Sequence, residues 1–218
     1  MRSIEVALAG VADGELLAEI MAAVGDESIG FHEIADLVTR DSVLATEVMR
    51  VANSRYYGLA GVVQSLQFAC SVVGALGLRS ITLSELGRRG GRCPVELNLM
   101  SQAIAAKAGA VAAAEGLDAQ VAIAAGLVVN LGLVLIAQQD PVGFVEIRQL
   151  PLLQREAFER ERYGETNGEI TMRALRHWNF PEAFIASVGQ QGDDRLGDIL
   201  RAVILDLQEL TDWDIVSS

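Results

Sequence analysis

The sequence predicts an all-α protein, a bundle of about ten to twelve helices arranged in two lobes. The 218 residues are 51% hydrophobic but only 5% aromatic, with four prolines, so the apolar side chains are mainly small and aliphatic and suit closely packed helices. Apolar residues recur at helical spacing in most segments. No segment shows the sustained polar and apolar alternation that would indicate a strand.

The first half of the chain is predicted to contain five helices. Asp41 and Ser65 have the short polar side chains that accept hydrogen bonds from the first free N–H groups of a helix, so each predicts a helix start. Gly25 predicts the end of the first helix, and Gly74 with Gly77 predicts a break between the last two. The predicted helices are residues 15–24, 31–38, about 42–52, 66–73 and 78–86.

The second half is predicted to contain seven further helices. Gly116 and Asp118 predict a stop and a new start, and Pro141 and Pro181 fit first turns, where a missing N–H costs nothing. Residues 119–137 carry no charge, which favours a helix buried on all sides over a membrane span. The predicted helices are residues 95–115, 119–137, about 142–149, 153–162, 166–177, 181–190 and 193–210.

One segment, residues 87–94, is rich in glycine and arginine and predicts a connection between the two lobes. We expect a first lobe of about 12–88, a second of about 95–212, and a single domain over 1–218. Arg88, Arg89 and Arg92 in this connection favour a solvated linker over a phosphate contact.

Charge and cysteine content indicate which partners and which cellular compartment the protein can have. A net charge of −12 opposes contact with the phosphates of nucleic acid or with an anionic membrane surface, so we expect neither as a partner. Cys70 and Cys93 form no CxxC pair, and the N-terminus lacks the apolar run of a signal peptide. These features predict a cytoplasmic protein, with Cys70 as a small core residue.

Few residues of the sequence could form a catalytic or metal-binding site. The two histidines, His32 and His177, lack a ligand-spaced partner, and no GxSxG, Walker or GxGxxG motif occurs. Carboxylates are spaced as on a solvated helix face. They are Glu156, Glu159, Glu161, Glu165 and Glu169.

The first half nonetheless carries a recognisable pattern, EIADLVTRDSVLATEVMRVANSRYYG followed by VQSLQFACSVVGALGLRSI. It resembles the HDOD family of bacterial signalling domains through Asp41, the helix end at residues 50–54, Tyr57-Gly58, Ser65 and residues 76–78. The resemblance implies the all-helical HD-like fold. It extends less clearly over the second half, where GLVVNLG, YGETN and WNFP are similar to segments of HD-type relatives.

The resemblance also implies where the metal ligands of HD-type relatives would fall. These positions correspond to Met100, Val129, Asn130 and Asn167, and a histidine pair found in some members corresponds to Gln190 and Gln191. Valine has no lone pair and an amide is a weak neutral ligand, so such a pocket could not hold the two metal ions that activate water. We therefore expect no metal, no other cofactor and no enzymatic activity.

The family implies a signal-transduction output or scaffold domain that acts through a protein partner of a bacterial pathway, with self-association left open. The alternatives are a degenerate sensor that binds a nucleotide or other small ligand in the former metal pocket, and a metal-dependent phosphohydrolase. Candidate contact residues are Asn53, Ser54, Tyr56 and Tyr57, with Gln190 and Gln191. For the first four residues we favour a structural role over contact with a ligand or partner. Asn53 and Ser54 would satisfy free backbone groups, and the tyrosines would cover the core.

Overall fold

The computed structural model describes residues 14–26, 28–87, 94–190 and 194–210, which form twelve α-helices and one 3-10 turn with no strand. The predicted all-α class is confirmed. The helices are α1 (Gly14–Gly25), α2 (Phe31–Val38), α3 (Ser42–Ala52), α4 (Leu66–Gly87), α5 (Val95–Ala114), α6 (Ala119–Val128), α7 (Leu131–Gln139), α8 (Pro141–Gln149), α9 (Leu152–Tyr163), α10 (Asn167–His177), α11 (Glu182–Val188) and α12 (Arg195–Leu210). The 3-10 turn is Arg55–Tyr57.

Three helices, α3, α4 and α6, start where a capping side chain was predicted. The Asp41 carboxylate accepts hydrogen bonds from the backbone N–H groups of Val43 and Leu44, both at 2.9 Å. Ser65 Oγ accepts from the N–H of Phe68 at 3.3 Å, and Asp118 caps α6 in the same way. Pro141 opens α8, whereas Pro181 lies one residue before α11 rather than in its first turn.

Helix α4 joins two segments that were predicted as separate helices. Gly74 has φ 68° and ψ 171°, a left-handed conformation that interrupts the helix where the break was predicted. Gly77 does not break the helix. It is required for close packing instead, because a Cβ there would lie 2.6 Å from Val73 Cγ1 and 3.0 Å from the Tyr57 hydroxyl.

The uncharged segment 119–137 is two helices, so the prediction of one continuous helix was wrong. Helix α6 ends at Val128 and α7 begins at Leu131. The cause lies in a distant residue: the N–H of Gly132 donates to Thr171 Oγ1 at 2.8 Å. This hydrogen bond takes the N–H away from the carbonyl it would meet in a continuous helix.

Within the described part of the chain, one stretch, Ala119–Gln139, is long and apolar enough to cross a membrane. Its mean hydropathy is 2.2, and 67% of its most apolar window is buried inside the protein. The pair α6 and α7 therefore packs as core helices do.

The buried apolar side chains form one cluster that extends from Leu16 in α1 to Val203 in α12. Helices α1, α2 and α3 pack on α4, and α3 also contacts α5 and α6. In the second half, α5 packs along α6, α7 contacts α8 and α10, and α12 lies against α5, α6 and α11. Cys70 is fully buried in this core, as predicted, and burial raises the pKa of its thiol to about 12.

Candidate functional site

A cavity of about 610 Å³ lies in the second half of the molecule, and we call it the second-half cavity. It is lined by residues of α5, the turn between α6 and α7, α7, α8 and α9, the first turn of α10, the end of α11, and α12. Five of the residues that sequence comparison matched to ligand positions lie on its wall: Met100, Val129, Asn130, Asn167 and Gln190. Gln191 and residues 88–93, which include Cys93 and the three arginines of the connection, lie outside the described residues.

The residues at the positions matched to metal ligands make structural contacts. Asn130 Nδ2 donates to Ser101 Oγ at 3.1 Å and so joins the turn before α7 to α5. Val129 is buried at 8% exposure, and Met100 packs against the apolar core. The carbonyl of Gln190, which has φ 53°, accepts a hydrogen bond of 2.8 Å from Arg201 Nη2.

Glu159 is fully buried on the cavity wall, so the interpretation of this carboxylate as part of a solvated face was wrong. Its partner is Asn167, whose backbone N–H donates to Oε2 at 2.7 Å and whose Nδ2 lies 3.1 Å from Oε1 and 3.0 Å from Oε2. Burial raises the pKa of Glu159, against the opposing effect of these hydrogen bonds. The carboxylate thus sits at the N-terminus of α10, where the helix dipole favours negative charge.

Four arginines and three glutamates line the same cavity. Arg160 pairs with Glu169 at 3.0 Å, and Arg148 pairs with Glu96 at 3.1 Å. The Nε of Arg155 donates to the Leu150 carbonyl at 3.0 Å. Sequence reasoning missed Glu159, Arg148 and Arg155. A usable signal was the four-residue spacing of Arg155, Glu159 and Tyr163, which places them on one face of α9.

The described residues contain no group of three or more His, Cys, Asp or Glu side chains placed to hold a metal ion. His32 and His177 are both exposed and lie on α2 and at the end of α10. The positions matched to metal ligands carry two amides, a thioether and an alkyl group, and the buried Glu159 carboxylate is already hydrogen-bonded to Asn167. Such a set does not fit a dinuclear metal centre.

The second group of candidate residues lies in the first half, at the junction of α3, the 3-10 turn and α4. Asn53 is fully buried: its Nδ2 donates to the carbonyls of Met49 at 3.1 Å and Val63 at 2.9 Å, and its Oδ1 accepts from the N–H of Val63 at 3.2 Å. This agrees with the structural interpretation of Asn53. Ser54 makes no capping hydrogen bond through its side chain, contrary to that interpretation, although its N–H donates to the Val51 carbonyl at 3.0 Å.

The two tyrosines of this junction differ in exposure. Tyr57 is partly buried, and its hydroxyl donates to the Val73 carbonyl at 3.4 Å, next to the kink in α4. Tyr56 is 88% exposed and touches the Tyr57 ring edge-on at 5.0 Å, so the prediction that it covers the core was wrong. Leu76, on α4 beside Gly77, is 80% exposed.

Known proteins similar to this chain include an HDOD domain family and all-helical solved structures. The sequence profile of the HDOD domain matches residues 13–193. The MmoQ response regulator of Methylococcus capsulatus is 25% identical with a TM-score of 0.76, over 97% of this chain and 89% of that one. A virulence factor of Campylobacter jejuni has a TM-score of 0.68 at 14% identity, over 87% of this chain and 73% of that one, which shows a shared fold. No curated protein matches the chain significantly.

The family match agrees with the architecture and with the cavity. It covers eleven of the helices from α1 to the end of α11, and the residues similar to ligand positions of HD-type relatives converge on one cavity wall. The chain belongs to the HDOD domain family.

Proposed function

We propose that this domain is a non-catalytic signal-transduction module of the bacterial cytoplasm that acts by binding a partner protein. The observation that carries the proposal is the chemistry of the second-half cavity, where a thioether, an alkyl group and two amides stand at the four positions matched to metal ligands. Without a bound metal to lower the pKa of water, the cavity has no evident means of hydrolysis. The similarity to a response regulator at 25% identity supports a role in signalling.

The partner surface that we propose is the junction of the 3-10 turn and the α4 kink. Tyr56 and Leu76 are large apolar side chains that expose 88% and 80% of their surface there. Aromatic side chains on a supported turn are common anchors of protein interfaces. Asn53 supports the turn, because two of its hydrogen bonds tie the end of α3 to Val63 and a third joins it to Met49 within α3.

A hydrolysis assay tests the non-catalytic part of the proposal. Purified protein is incubated with Mn²⁺, Mg²⁺ or Fe²⁺ and with phosphate monoester, diester and cyclic dinucleotide substrates. We expect product formation equal to that in buffer with metal, measured as inorganic phosphate from the monoester, as the released alcohol from the diester and as linear dinucleotide from the cyclic dinucleotide. A metal-dependent rate that disappears in the Asn130→Ala variant would contradict the proposal, because a contaminating phosphatase would not respond to this substitution.

A binding assay tests the partner surface. The immobilised chain is exposed to lysate of the native bacterium, and the double variant Tyr56→Ser/Leu76→Ser is compared with Val142→Ser, an exposed apolar residue of α8. We expect a protein that the wild type and Val142→Ser retain and the double variant loses. Retention by all three would contradict the proposed surface. Size-exclusion chromatography of the same variants tests a second copy of the chain as the partner.

A second candidate function is a sensor that binds a small ligand in the second-half cavity. The volume of about 610 Å³ favours it, since ligand pockets commonly measure about 300–1,000 Å³. Ligand binding and partner binding are compatible, because the cavity and the Tyr56 junction lie in different halves of the chain.

A further inference from the structure

The Tyr56 junction, where the 3-10 turn meets the α4 kink, lies in a part of the chain that has no acidic residue. Residues 48–84, which include the turn and most of α4, contain three arginines and no aspartate or glutamate, whereas the whole chain has 29 acidic and 17 basic residues. Four of the large apolar side chains that the described structure exposes also belong to this range: Tyr56, Val62, Phe68 and Leu76. A partner that approaches here therefore meets apolar surface and a local charge that differs from the net charge of −12.

Each of the two most exposed apolar side chains of the junction has an arginine beside it. Arg55 precedes Tyr56 in the 3-10 turn, and Arg79 follows Leu76 by three positions, so the latter two residues share a face of α4. Both arginines are exposed to solvent, and neither forms an ion pair within the described part of the chain. Their guanidinium groups can therefore pair with a binding partner.

The carboxylates near these arginines do not remove the positive charge. Arg50, the third arginine of the range, donates through Nε to Glu47 Oε2 at 2.7 Å, so this pair is neutral. Gly25 lies beside Arg79, because a Cβ there would be 3.2 Å from Arg79 Nη2, and Asp26 follows it. The Oδ1 of Asp26 accepts two hydrogen bonds within its own turn, at 2.9 and 2.6 Å. Even if the charge of Asp26 is set against that of Arg79, the arginine of the 3-10 turn has no paired carboxylate among the described residues.

The second half of the chain adds no net charge at its contact with this surface. The carbonyl of Asn179, between α10 and α11, accepts a hydrogen bond of 2.9 Å from the N–H of Gly61, in the loop that follows the 3-10 turn. Glu182, at the start of α11, is the closest acidic residue along the chain to this contact, and it pairs with Arg176 at 3.6 Å. The surface around the Tyr56 junction is therefore neutral to positive in an otherwise acidic protein.

A second copy of this chain, bound through the same surface, does not suit this charge. In a symmetric dimer the same patch faces itself, so the arginines of one copy would approach those of the other across the interface. Nucleic acid is also unsuitable, because the net charge of −12 repels its backbone and two arginines could neutralise only two phosphates. An acidic protein segment meets neither difficulty. At physiological ionic strength charges are screened beyond about 8 Å, so the arginines at the contact outweigh more distant carboxylates.

We propose that the Tyr56 junction binds an acidic protein segment that carries large apolar side chains. Its carboxylates pair with Arg55 and Arg79, and its apolar side chains pack on Tyr56 and Leu76. The inference rests on the proposed partner surface and names the chemistry of the partner. Apolar contact supplies most of the affinity, while the arginines select an acidic partner over a basic one.

Selection from a displayed library of random short peptides tests this inference with defined material. Peptides that bind the immobilised wild type are kept, and those that also bind the Tyr56→Ser/Leu76→Ser variant are removed. We expect the remaining peptides to contain more Asp and Glu than Lys and Arg, together with large apolar residues. This result is the opposite of what a net charge of −12 alone would select.

The salt dependence of binding separates local charge from overall charge. The affinity of an enriched peptide, measured by calorimetry, should fall as the NaCl concentration rises from about 50 to about 500 mM, because salt screens the attraction between its carboxylates and the arginines. If the net charge of the protein dominated, salt would screen a repulsion and the affinity for an acidic peptide would rise.

Arginine variants measure the two charged contacts. Arg55→Gln and Arg79→Gln should each weaken binding of the peptide about two- to fivefold, the range expected for ion pairs at a surface. Arg195→Gln removes the same single charge from α12, where Arg195 pairs with Glu115, and should change the affinity by less than about 1.5-fold. Circular dichroism checks that each variant is folded.

Several outcomes would overturn the inference. They are enriched peptides that are neutral or basic, no enriched peptide at all, an affinity that rises with salt or that neither arginine variant changes, and a labelled oligonucleotide that binds the junction more tightly than the peptides. A dimer that the double variant dissociates would also overturn it, because a second copy would then occupy the surface. If neutral or basic peptides bind and the double variant loses them, the partner surface stands and only its preference for acidic segments is wrong. If the wild type retains neither a peptide nor a protein from the lysate, the proposed partner surface fails as well.

Discussion

Replacing Asn167 by alanine isolates its side-chain interaction with Glu159 on the wall of the second-half cavity. The substitution removes the Nδ2 group that lies 3.0 and 3.1 Å from the two oxygens of Glu159 and leaves the backbone N–H of residue 167 in place. Alanine is acceptable at the first position of a helix, so α10 itself should persist. What is lost is one donor group to a carboxylate that has no exposure to solvent.

The magnitude follows from the burial of this carboxylate. Hydrogen bonds to charged groups contribute about 1.5–3 kcal/mol, so we expect Asn167→Ala to lower the free energy of unfolding by about 2 kcal/mol at neutral pH. For a chain of this size, each kcal/mol corresponds to roughly 2–4 °C, and the melting temperature should fall by about 4–8 °C. Urea denaturation and thermal melting measure both quantities.

The pH dependence has a definite sign. Burial raises the pKa of Glu159 above its ordinary value of 4.5, so the folded state binds the proton more tightly and stability decreases as the pH rises through this range. Without the Asn167 amide the pKa rises further. The cost of Asn167→Ala should therefore increase as the pH rises through the raised pKa of Glu159.

A double-mutant cycle with Glu159→Gln provides the control. In that background the amide meets a neutral group, and Asn167→Ala should cost less than in the wild type, about 0.5–1.5 kcal/mol. A cost that is equal in both backgrounds, or that does not change with pH, would refute the assignment of Asn167 as the partner of a buried carboxylate.

Three further substitutions test other parts of the fold by urea denaturation. Asn53→Ala leaves buried groups of Met49 and Val63 without their partner and should cost about 2–4 kcal/mol, whereas a cost below about 1 kcal/mol would contradict its structural role. Gly132→Ala places a Cβ on the carbonyl of Asn167 and should cost at least about 3 kcal/mol, while Gly168→Ala, whose Cβ would make only an ordinary contact with Thr166 Oγ1 at 3.8 Å, should cost less than about 1 kcal/mol; similar costs would contradict the packing. Asp140→Asn should cost about 2 kcal/mol at neutral pH. The guanidinium of Arg162 lowers the pKa of Asp140, so this cost should shrink as the pH falls through that lowered pKa, and a constant cost would contradict the ion pair.

Features set by neighbouring residues could be predicted from the sequence. Asp41 and Ser65 cap the helices that follow them because the capping hydrogen bonds reach only two or three residues along the chain. The break at Gly74 likewise depends on the conformational freedom of that one residue. The all-α class follows from many such local signals acting together.

Features set by distant residues could not be predicted in this way. The break between α6 and α7 depends on Thr171, which follows Gly132 by 39 positions. The exposure of Tyr56 depends on how the 3-10 turn docks on α4 through Tyr57. Similarly, the spacing of Glu159 resembles that of its exposed neighbours on α9, and only its contact with α10 shows that it is buried.

The residues of the candidate site also form two groups, those that the sequence indicated and those that it did not. The family resemblance indicated Met100, Val129, Asn130, Asn167 and Gln190, and all five line one cavity. The resemblance gave no indication of Arg148 and Arg155, because these residues lie on α8 and α9, outside the segments in which metal ligands were sought. Their position on the cavity wall results from the packing of α8 and α9, which the sequence alone does not show.

Three polar contacts connect helices of the former metal pocket to one another. Asn130 joins the start of α7 to Ser101 in α5, Gly132 joins α7 to Thr171 in α10, and Asn167 joins α10 to Glu159 in α9. A metal ion bound by side chains from several helices would provide cross-links of the same kind. Since protein side chains supply these cross-links here, the helices around the cavity are held together by the chain's own hydrogen bonds.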